Sequence, residues 1–461
     1  MNPSTRVMKF GGTSVGDARL MGLTADIIVR EASQTRLLIV VSAMQRVTES
    51  LLLAASAASR GETDAWRLIG GELADRHREV CDDQVLASER TQIQSQIDAE
   101  LATLDDLCSG FTLVRELTPR SLDSLASLGE VISATLLAAC LRARGRNAVA
   151  VDATRLIVTD DGFGNASPIF EPTQKRVHEV LDPMLAEGAI PVITGFRGAT
   201  IDGACTTLGR DGSDYSATIL GAVLPADEIW IWTDVAGVMT ADPKLVPEAR
   251  VISELSYPEA IELSFFGAKV LHPKALDLPS RADIPVRIKD TFHSDRAGTE
   301  IAGASPRRPG VRAIASTKEA VLFTISADRA QPFAQLATLV WGWLDSDRIS
   351  TLLMVQSSAE NVLCFAVTRL DAIRVRRRLE RDHGPLLARA EELAGMGVVV
   401  AVGSGMKGTP GLAARTFGAV AGLGINVAAI AQGSSELTIS LVVRSEEVEA
   451  AVQALHAEFE L

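Results

Sequence analysis

The sequence predicts an α/β protein with a mostly parallel sheet, followed by a smaller repeated unit of different design. Three observations carry this. Apolar, β-branched-rich runs recur at Arg6–Phe10, Leu37–Val41, Ala148–Val151, Ile190–Ile193, Ile229–Trp232 and Ile284–Ile288. They lack polar alternation, as strands buried on both faces do. Longer helical stretches such as Glu130–Ala143 separate them, and the rhythm changes beyond Gly303–Gly310, whose Pro and Gly content reads as a linker.

The first run ends in "KFGGTS": Lys9, then Gly11, Gly12, Thr13 and Ser14. A strand lysine usually points to solvent. One placed ahead of paired glycines can instead aim its ammonium where bare backbone amides converge, a place suited to a phosphate. The residues alone leave both readings open. Ligands of open parallel sheets bind beyond the carboxyl ends of the strands, and the other strands end alike. Ser42 and Thr48 follow one, Thr194, Gly195 and Phe196 another, Thr233 and Asp234 a third. Four such endings together suggest one ligand-lined edge.

In "TTLGRDGSDYSA", Thr206–Ala217, glycines flank Arg210, and Ser213 and Asp214 precede a helical run. This reads either as an anion site with Arg210 as a carboxylate clamp, or as a glycine-rich turn with a solvated arginine and a Ser/Asp cap. "LSYPEAIELSFFGAKVLHP" reads as one helix, capped by Ser256 with Glu259 completing a capping box, Pro258 in the first turn and Pro273 as the stop.

Two segments of the tail resemble each other, one starting at Arg348 and the other at Gly424. Each runs strand, turn, acidic residue, strand, with Gln356 and Gln432 in matching places. Two copies of a small βαββ-type unit explain this better than two unrelated hairpins.

The 461 residues suffice for two or three domains, and 47% apolar with 22% charged residues is ordinary for a soluble globular chain. A net charge of −13 opposes non-specific binding to nucleic acid or anionic membranes. The five cysteines form no CxxC pair and read as free thiols in a reducing compartment. The six histidines show no HxxxH or HExxH spacing, so no protein-held metal is expected. No leader-like start and no apolar run near the ~18 residues of a membrane span are evident. A cytoplasmic protein is expected.

"KFGGTS", "VVSA", "SLGE", "GFRG", "TTLGRDGSDYSA", "WTDVAGV", "ADPK" and "FGAKVLHP", in this order over residues 6–300, resemble the motifs of aspartate kinases in the amino-acid kinase superfamily. The tail resembles the paired ACT domains of those enzymes. The wording is most similar to the kinase half of bifunctional aspartate kinase–homoserine dehydrogenases. No GxGxxG fingerprint occurs before Leu461, so no dehydrogenase activity is expected of this chain.

The resemblance implies an amino-acid kinase fold over 1–298, then two ferredoxin-like βαββαβ ACT units over 311–390 and 395–461 that can share strands. It implies phosphorylation of the β-carboxylate of L-aspartate by Mg²⁺-ATP, an early step toward lysine, threonine and methionine. By matching motif, Lys9, Gly11 and Gly12 contact the transferring phosphoryl group, and Asp214 and Lys269 complete the catalytic set. Ser42, Thr48, Glu130, Phe196, Arg210 and Ser213 surround aspartate, with Arg210 on its α-carboxylate and Glu130 on its ammonium. Thr233, Asp234, Met239, Lys244 and Lys269 join Lys9, Gly11 and Gly12 around the nucleotide. Gln356 and Gln432 belong to the effector sites, with threonine the expected effector and lysine the alternative. At least a homodimer is expected.

Three positions depart from that pattern: Asp211 for the usual Gly or Asn, Met239 for Tyr and Lys244 for Arg. Asp211 either competes with substrate for Arg210 or faces solvent. "SADRAQPFAQLATLVW", at the place of the first effector loop, lacks the glycines of its counterpart "GSGMKGTPGLAARTF". A glutamate or carbamate kinase, or a non-catalytic amino-acid sensor on the same scaffold, are the competing readings.

Overall fold

A computed structural model describes residues 4–266, 271–303, 310–327, 332–357, 361–381 and 389–461. In chain order the strands are β1 (Thr5–Phe10), β2 (Arg36–Val41), β3 (Ala148–Val151), β4 (Val158–Thr159), β5 (Ile190–Thr194), β6 (Arg197–Thr200), β7 (Cys205–Thr207) and β8 (Glu228–Thr233). There follow β9 (Glu254–Ser256), β10 (Val286–Asp290), β11 (Thr299–Ala302), β12 (Ala313–Ser326), β13 (Thr351–Ser357), β14 (Val362–Thr368), β15 (Arg389–Val402), β16 (Ala429–Ala431) and β17 (Thr438–Arg444). The chain forms two compact units, Met1–Gly237 with Val270–Gly303, and Val238–Lys269 with Ala304–Leu461.

In the first unit the main sheet runs β3-β5-β2-β1-β8-β10-β11. All neighbours are parallel except β10 and β11. β2 is buried from Leu37 to Val41 and β5 along its whole length, which is why the apolar runs show no alternation. Met8, Phe10, Ile39, Val192 and Trp232 join the core under the helices Val47–Arg60, Thr63–Gln84, Arg90–Val114 and Leu128–Ala143, with Phe10 and Trp232 stacked 5.7 Å apart. The helix Gly212–Val223 packs on β1 and β8, close enough that a Cβ on Gly221 would lie 2.6 Å from Ile229 Cδ1. A small sheet, β4-β6-β7, carries the chain from Phe196 to Arg210.

Three expectations change. The stretch ending at Pro273 is not one helix: Ser256 and Glu259 form the expected capping box, but the helix closes at Phe265 and Pro273 opens a second, Pro273–Ala282. Proline suits a first helical turn, where its missing N–H has no partner to lose. The strand read at Ile284–Ile288 is Val286–Asp290, because Pro285 cannot donate to the ladder. Pro119–Ala143, with mean hydropathy 1.7, is long and apolar enough to cross a membrane, yet 83% of its most apolar window is buried inside the fold.

In the second unit an antiparallel sheet runs β13-β14-β12-β15-β17-β16. β12 and β15 are each 14 residues long and pair along their length, Ala313 opposite Val402 and Ser326 opposite Arg389. β14 pairs with Ala320–Ser326 and β17 with Met396–Val402. The order β13-β14-β12-β15 therefore recurs as β16-β17-β15-β12. A boundary between 390 and 395 passes through a strand that both halves use. Each half keeps its own core, one around Phe323, Phe365 and Leu336, the other around Val399, Leu441 and Leu455. The expected linker lies largely at 304–309, outside the described residues.

Candidate active site

A cavity of about 700 Å³ opens in the first unit, beyond the carboxyl ends of β1, β2, β5 and β8. Lys9, Gly11, Gly12, Ser42, Thr48, Glu130, Phe196, Arg210, Ser213 and Thr233 all line it. A second cavity, about 340 Å³ and lined by Gln96, Glu100, Thr135, Asp152 and Arg155, holds no glycine cradle and none of the expected site residues.

The open question about Lys9 has a geometric answer. Its side chain is 11% exposed and its Nζ lies 2.6 Å from Asp214 Oδ1, in the first turn of the helix Gly212–Val223. Burial pushes the Asp214 carboxyl up, and the Lys9 ammonium opposes that shift. The backbone around them is tight. A Cβ on Gly11 would sit 3.6 Å from Lys9 Nζ, and one on Gly12 would meet the Ala43 carbonyl oxygen at 2.8 Å. Glycine is what lets the chain after β1 pass under the loop after β2.

Glu130 stands in the first turn of the helix Leu128–Ala143 and is 3% exposed. Its Oε2 has no hydrogen-bond partner. Burial pushes its carboxyl up to about 7, against the Ala43 N–H and the charges of Arg197 and Lys9. A Cβ on Gly129 would lie 2.7 Å from Val47 Cγ1 and 2.8 Å from Ala43 Cβ, so this helix start is pressed against the Ala43–Val47 loop.

The opposite wall differs from the expected Ser/Asp cap. Ser213 and Asp214 lie inside the helix, and Asp211 is its N-cap, at φ 54° with no side-chain cap bond. Arg210 is 78% exposed, its Nε 3.7 Å from Asp211 Oδ2. Phe196 takes φ 68° and its N–H donates to Ser216 Oγ. Thr233 Oγ1 donates to Asp234 Oδ1; Asp234 is exposed and off the cavity wall. Met239 and Lys244 belong to the second unit, Met239 bridging Val251 and Lys244 exposed, while Lys269 lies outside the described residues. Gln356 on β13 and Gln432 just after β16 are both exposed.

Two residues were not anticipated. Asp123, 3% exposed, accepts from Gly164 N at 2.8 Å, Thr207 N at 2.9 Å and Thr207 Oγ1 at 2.7 Å. It ties a cavity-lining loop to the strand that leads to Arg210. Arg197, at the start of β6, has a side chain only 11% exposed, its Nε 3.4 Å from Asp152 Oδ1. Asp123 carries no motif-like signal, since it acts through residues distant in the chain; Arg197 lies within "GFRG", but its partners Asp152 and Cys205 are brought to it only by the fold.

Residues 4–290 match the model of the amino acid kinase family, and residues 399–459 match an ACT domain. A bifunctional aspartokinase/homoserine dehydrogenase 1 (chloroplastic) of Zea mays is 32% identical over 98% of this chain and 50% of its own length. Aspartokinase 1 (chloroplastic) of Arabidopsis thaliana is 32% identical over 99% of this chain and 80% of its own. The chain thus spans about half the length of the bifunctional relatives. E. coli aspartokinase III, in complex with aspartate and ADP, superposes with a TM-score of 0.88 at 29% identity, covering 99% of this chain and 100% of that one. The same protein with lysine and aspartate gives 0.79 at 30% identity, covering 99% of each chain. With the fold, the glycine cradle and this coverage together, the chain belongs to the amino acid kinase family, in its aspartokinase branch.

Proposed function

We propose that this chain transfers the γ-phosphoryl group of ATP to the β-carboxylate of L-aspartate, giving 4-phospho-L-aspartate. The observation that carries the reading is Lys9: a buried ammonium, paired with Asp214, beside two glycines at the mouth of a 700 Å³ cavity. Lys9 and the amides of Gly11 and Gly12 cradle the transferring group. Arg210 and Ser213 take the α-carboxylate, with Ser42, Thr48 and Phe196 around it. Glu130 takes the ammonium, leaving the β-carboxylate directed at Lys9. That carboxylate is ionised at neutral pH, so its attack needs no general base. Phosphoryl transfer then rests on positioning and on charge stabilisation.

Among the described residues no group of three or more His, Cys, Asp or Glu could hold a metal. The reading puts Mg²⁺ mainly on the nucleotide phosphates, with Asp214 the carboxylate beside the Lys9 cradle that would face it. Bound there, Mg²⁺ supplies neutralisation of phosphate charge. Thr233, Asp234, Met239, Lys244 and Lys269 are proposed on the nucleotide side.

The regulatory proposal is a kinase domain over 1–298 and two ACT units over 311–390 and 395–461, sharing β12 and β15, in at least a homodimer. Its support is the recurring strand order, with Gln356 and Gln432 exposed at its equivalent outer strands. Threonine is the proposed effector. A lysine complex of the E. coli relative keeps lysine as the alternative.

Aspartate-dependent ADP release tests the catalytic reading. Lys9→Ala is expected to lower kcat by about 10²-fold or more, as loss of an electrostatic stabiliser does. Near-normal kcat in a folded variant overturns the phosphoryl role. Titrating the same assay with threonine and with lysine tests the effector, and no response to either removes that proposal.

A further inference from the structure

We propose that the second unit holds a binding site for a small organic anion, one bearing phosphate or carboxylate groups, in the cleft where its two repeated halves meet. The site is separate from the catalytic cavity, and neither Gln356 nor Gln432 lines it.

The sequence supplies the charge. The helix Arg369–Arg381 carries six arginines against two acidic residues, in a chain whose net charge is −13. It packs on β12 and β14, with Ala372 and Val375 turned into the core around Phe323 and Phe365. Arg369, Ile373 and Arg376 are spaced four and three residues apart and so share another face. All three line a cavity of about 540 Å³. The two arginines start about 10 Å apart along the helix axis, with Ile373, 44% exposed, between them.

The floor is the place where the two long strands slip. Thr317 pairs with Val398, then Ala320 with Met396 and Leu322 with Leu393, so the register shifts twice. Such irregularities re-aim side chains and open the ladder locally. Lys318, Glu319, Ala320 and Val321 of β12 and Ala394 and Gly395 of β15 line the cavity there. Gly395 takes φ 72°, and a Cβ on it would meet nothing within 4 Å, so bare backbone faces open space. Ser445, at the end of β17, completes the lining, and its hydroxyl donates to the Lys318 carbonyl. The cavity thus takes one wall from each half, inside a single compact unit.

Among the lining residues three cations stand against one carboxylate, Glu319. Lys318 Nζ lies 3.1 Å from Glu449 Oε2, and Arg376 holds Glu392 in a fork at 2.8 and 2.5 Å. Arg369 has no ion pair or hydrogen bond to any described residue. The side chains of both pairs are 30–51% exposed. Exposed pairs are weak. An incoming anion can therefore draw Lys318 and Arg376 from Glu449 and Glu392, and it gains Arg369, which gives up no partner. Guanidinium forks match the oxygens of phosphate and carboxylate groups. Ile373, Ala320 and Val321 between the cations suit the apolar body of an organic anion.

The test is calorimetric titration of the full chain with AMP and with citrate at constant ionic strength. Binding of AMP alone assigns phosphate as the group recognised, and binding of citrate alone assigns carboxylate. Arg369→Gln is expected to weaken binding about tenfold or more, as loss of a charge-assisted contact does, and Arg369→Lys to recover part of it. Glu392→Gln frees Arg376 and is expected to tighten binding, which a merely structural role of that pair would not produce. Arg369 is exposed and without a described partner, so the melting temperature and the kinase activity without probe should stay at wild-type values in Arg369→Gln. If neither probe binds at millimolar concentration, the proposal is overturned. It is overturned equally if affinity in Arg369→Gln and Arg376→Gln equals that of wild type, because binding then lies elsewhere, the catalytic cavity included.

Discussion

The glycine pair after β1 can be tested one methyl group at a time. In Gly12→Ala the new Cβ would meet the Ala43 carbonyl oxygen at 2.8 Å, where ordinary contact begins at 3.4 Å. Gln45 N stands 3.4 Å away, so the neighbours on that side are backbone and cannot rotate aside. The Ala43–Gln45 loop must retreat by roughly half an ångström, and overpacking of this kind costs about 1–3 kcal/mol. That loop also supplies the Ala43 N–H that holds Glu130. Gly12→Ala should therefore lower the melting temperature by several degrees and raise KM for aspartate together. Gly11→Ala places its Cβ 3.6 Å from Lys9 Nζ and from the Trp232 carbonyl, ordinary contact in both cases. It should keep wild-type stability yet lower kcat by 10-fold or more, because the methyl intrudes where the phosphoryl group must approach. Thermal melting and steady-state kinetics on the two variants decide this. A Gly12→Ala protein with wild-type melting and KM, or a Gly11→Ala protein less stable than it, would refute the reasoning.

The Lys9–Asp214 pair should behave as a buried ion pair. Asp214→Asn strands the ammonium and is expected to lose about 3 kcal/mol in denaturant unfolding, whereas Lys9→Met with Asp214→Asn regains part of it, a coupling that additive losses would disprove. Asp211→Gly removes a left-handed non-glycine residue and a carboxylate beside Arg210. It should raise stability by about 1 kcal/mol and lower KM for aspartate. An increased KM would show that Asp211 assists binding instead.

Much of this site can be read along the chain because a parallel sheet gathers its ligands at strand ends. Lys9, Gly11, Gly12, Ser42, Phe196 and Thr233 each lie at or just beyond such an end, so locating the strands locates the wall. Glu130 and Arg210 needed the resemblance, since nothing local distinguishes them from a first-turn acid and a solvated arginine. Asp123 and Arg197 were hidden for a different reason. Asp123 works through Gly164 and Thr207, and Arg197 through Asp152 and Cys205, pairings created only when the small sheet β4-β6-β7 closes behind the cavity. The helix break before Pro273 was hidden in the residues themselves, because proline serves equally as a stop and as a first-turn residue.

The charges of the site are arranged so that the resting cavity is nearly self-neutral. Lys9 is held by Asp214, Arg210 leans on Asp211, and Arg46 and Glu49 add one charge of each sign to the lining. An unpaired charge at these depths would be expensive. On the proposed reading, aspartate would bring two carboxylates to Lys9 and Arg210 and one ammonium to Glu130, on a wall that also carries Arg46, Glu49 and Asp211. Binding of this kind would exchange internal partners for substrate ones with little new charge buried. The Lys9–Asp214 and Arg210–Asp211 pairs are not equally firm. Lys9–Asp214, buried and 2.6 Å apart, persists and positions the ammonium, while Arg210–Asp211, exposed and 3.7 Å apart, yields readily because exposed pairs are worth about 0–1 kcal/mol. On the proposed roles, selectivity for the α-carboxylate would be set where the wall is loosest, and phosphoryl chemistry where it is tightest. This division predicts that substitutions at Asp211 act on KM for aspartate, while those at Asp214 act on kcat.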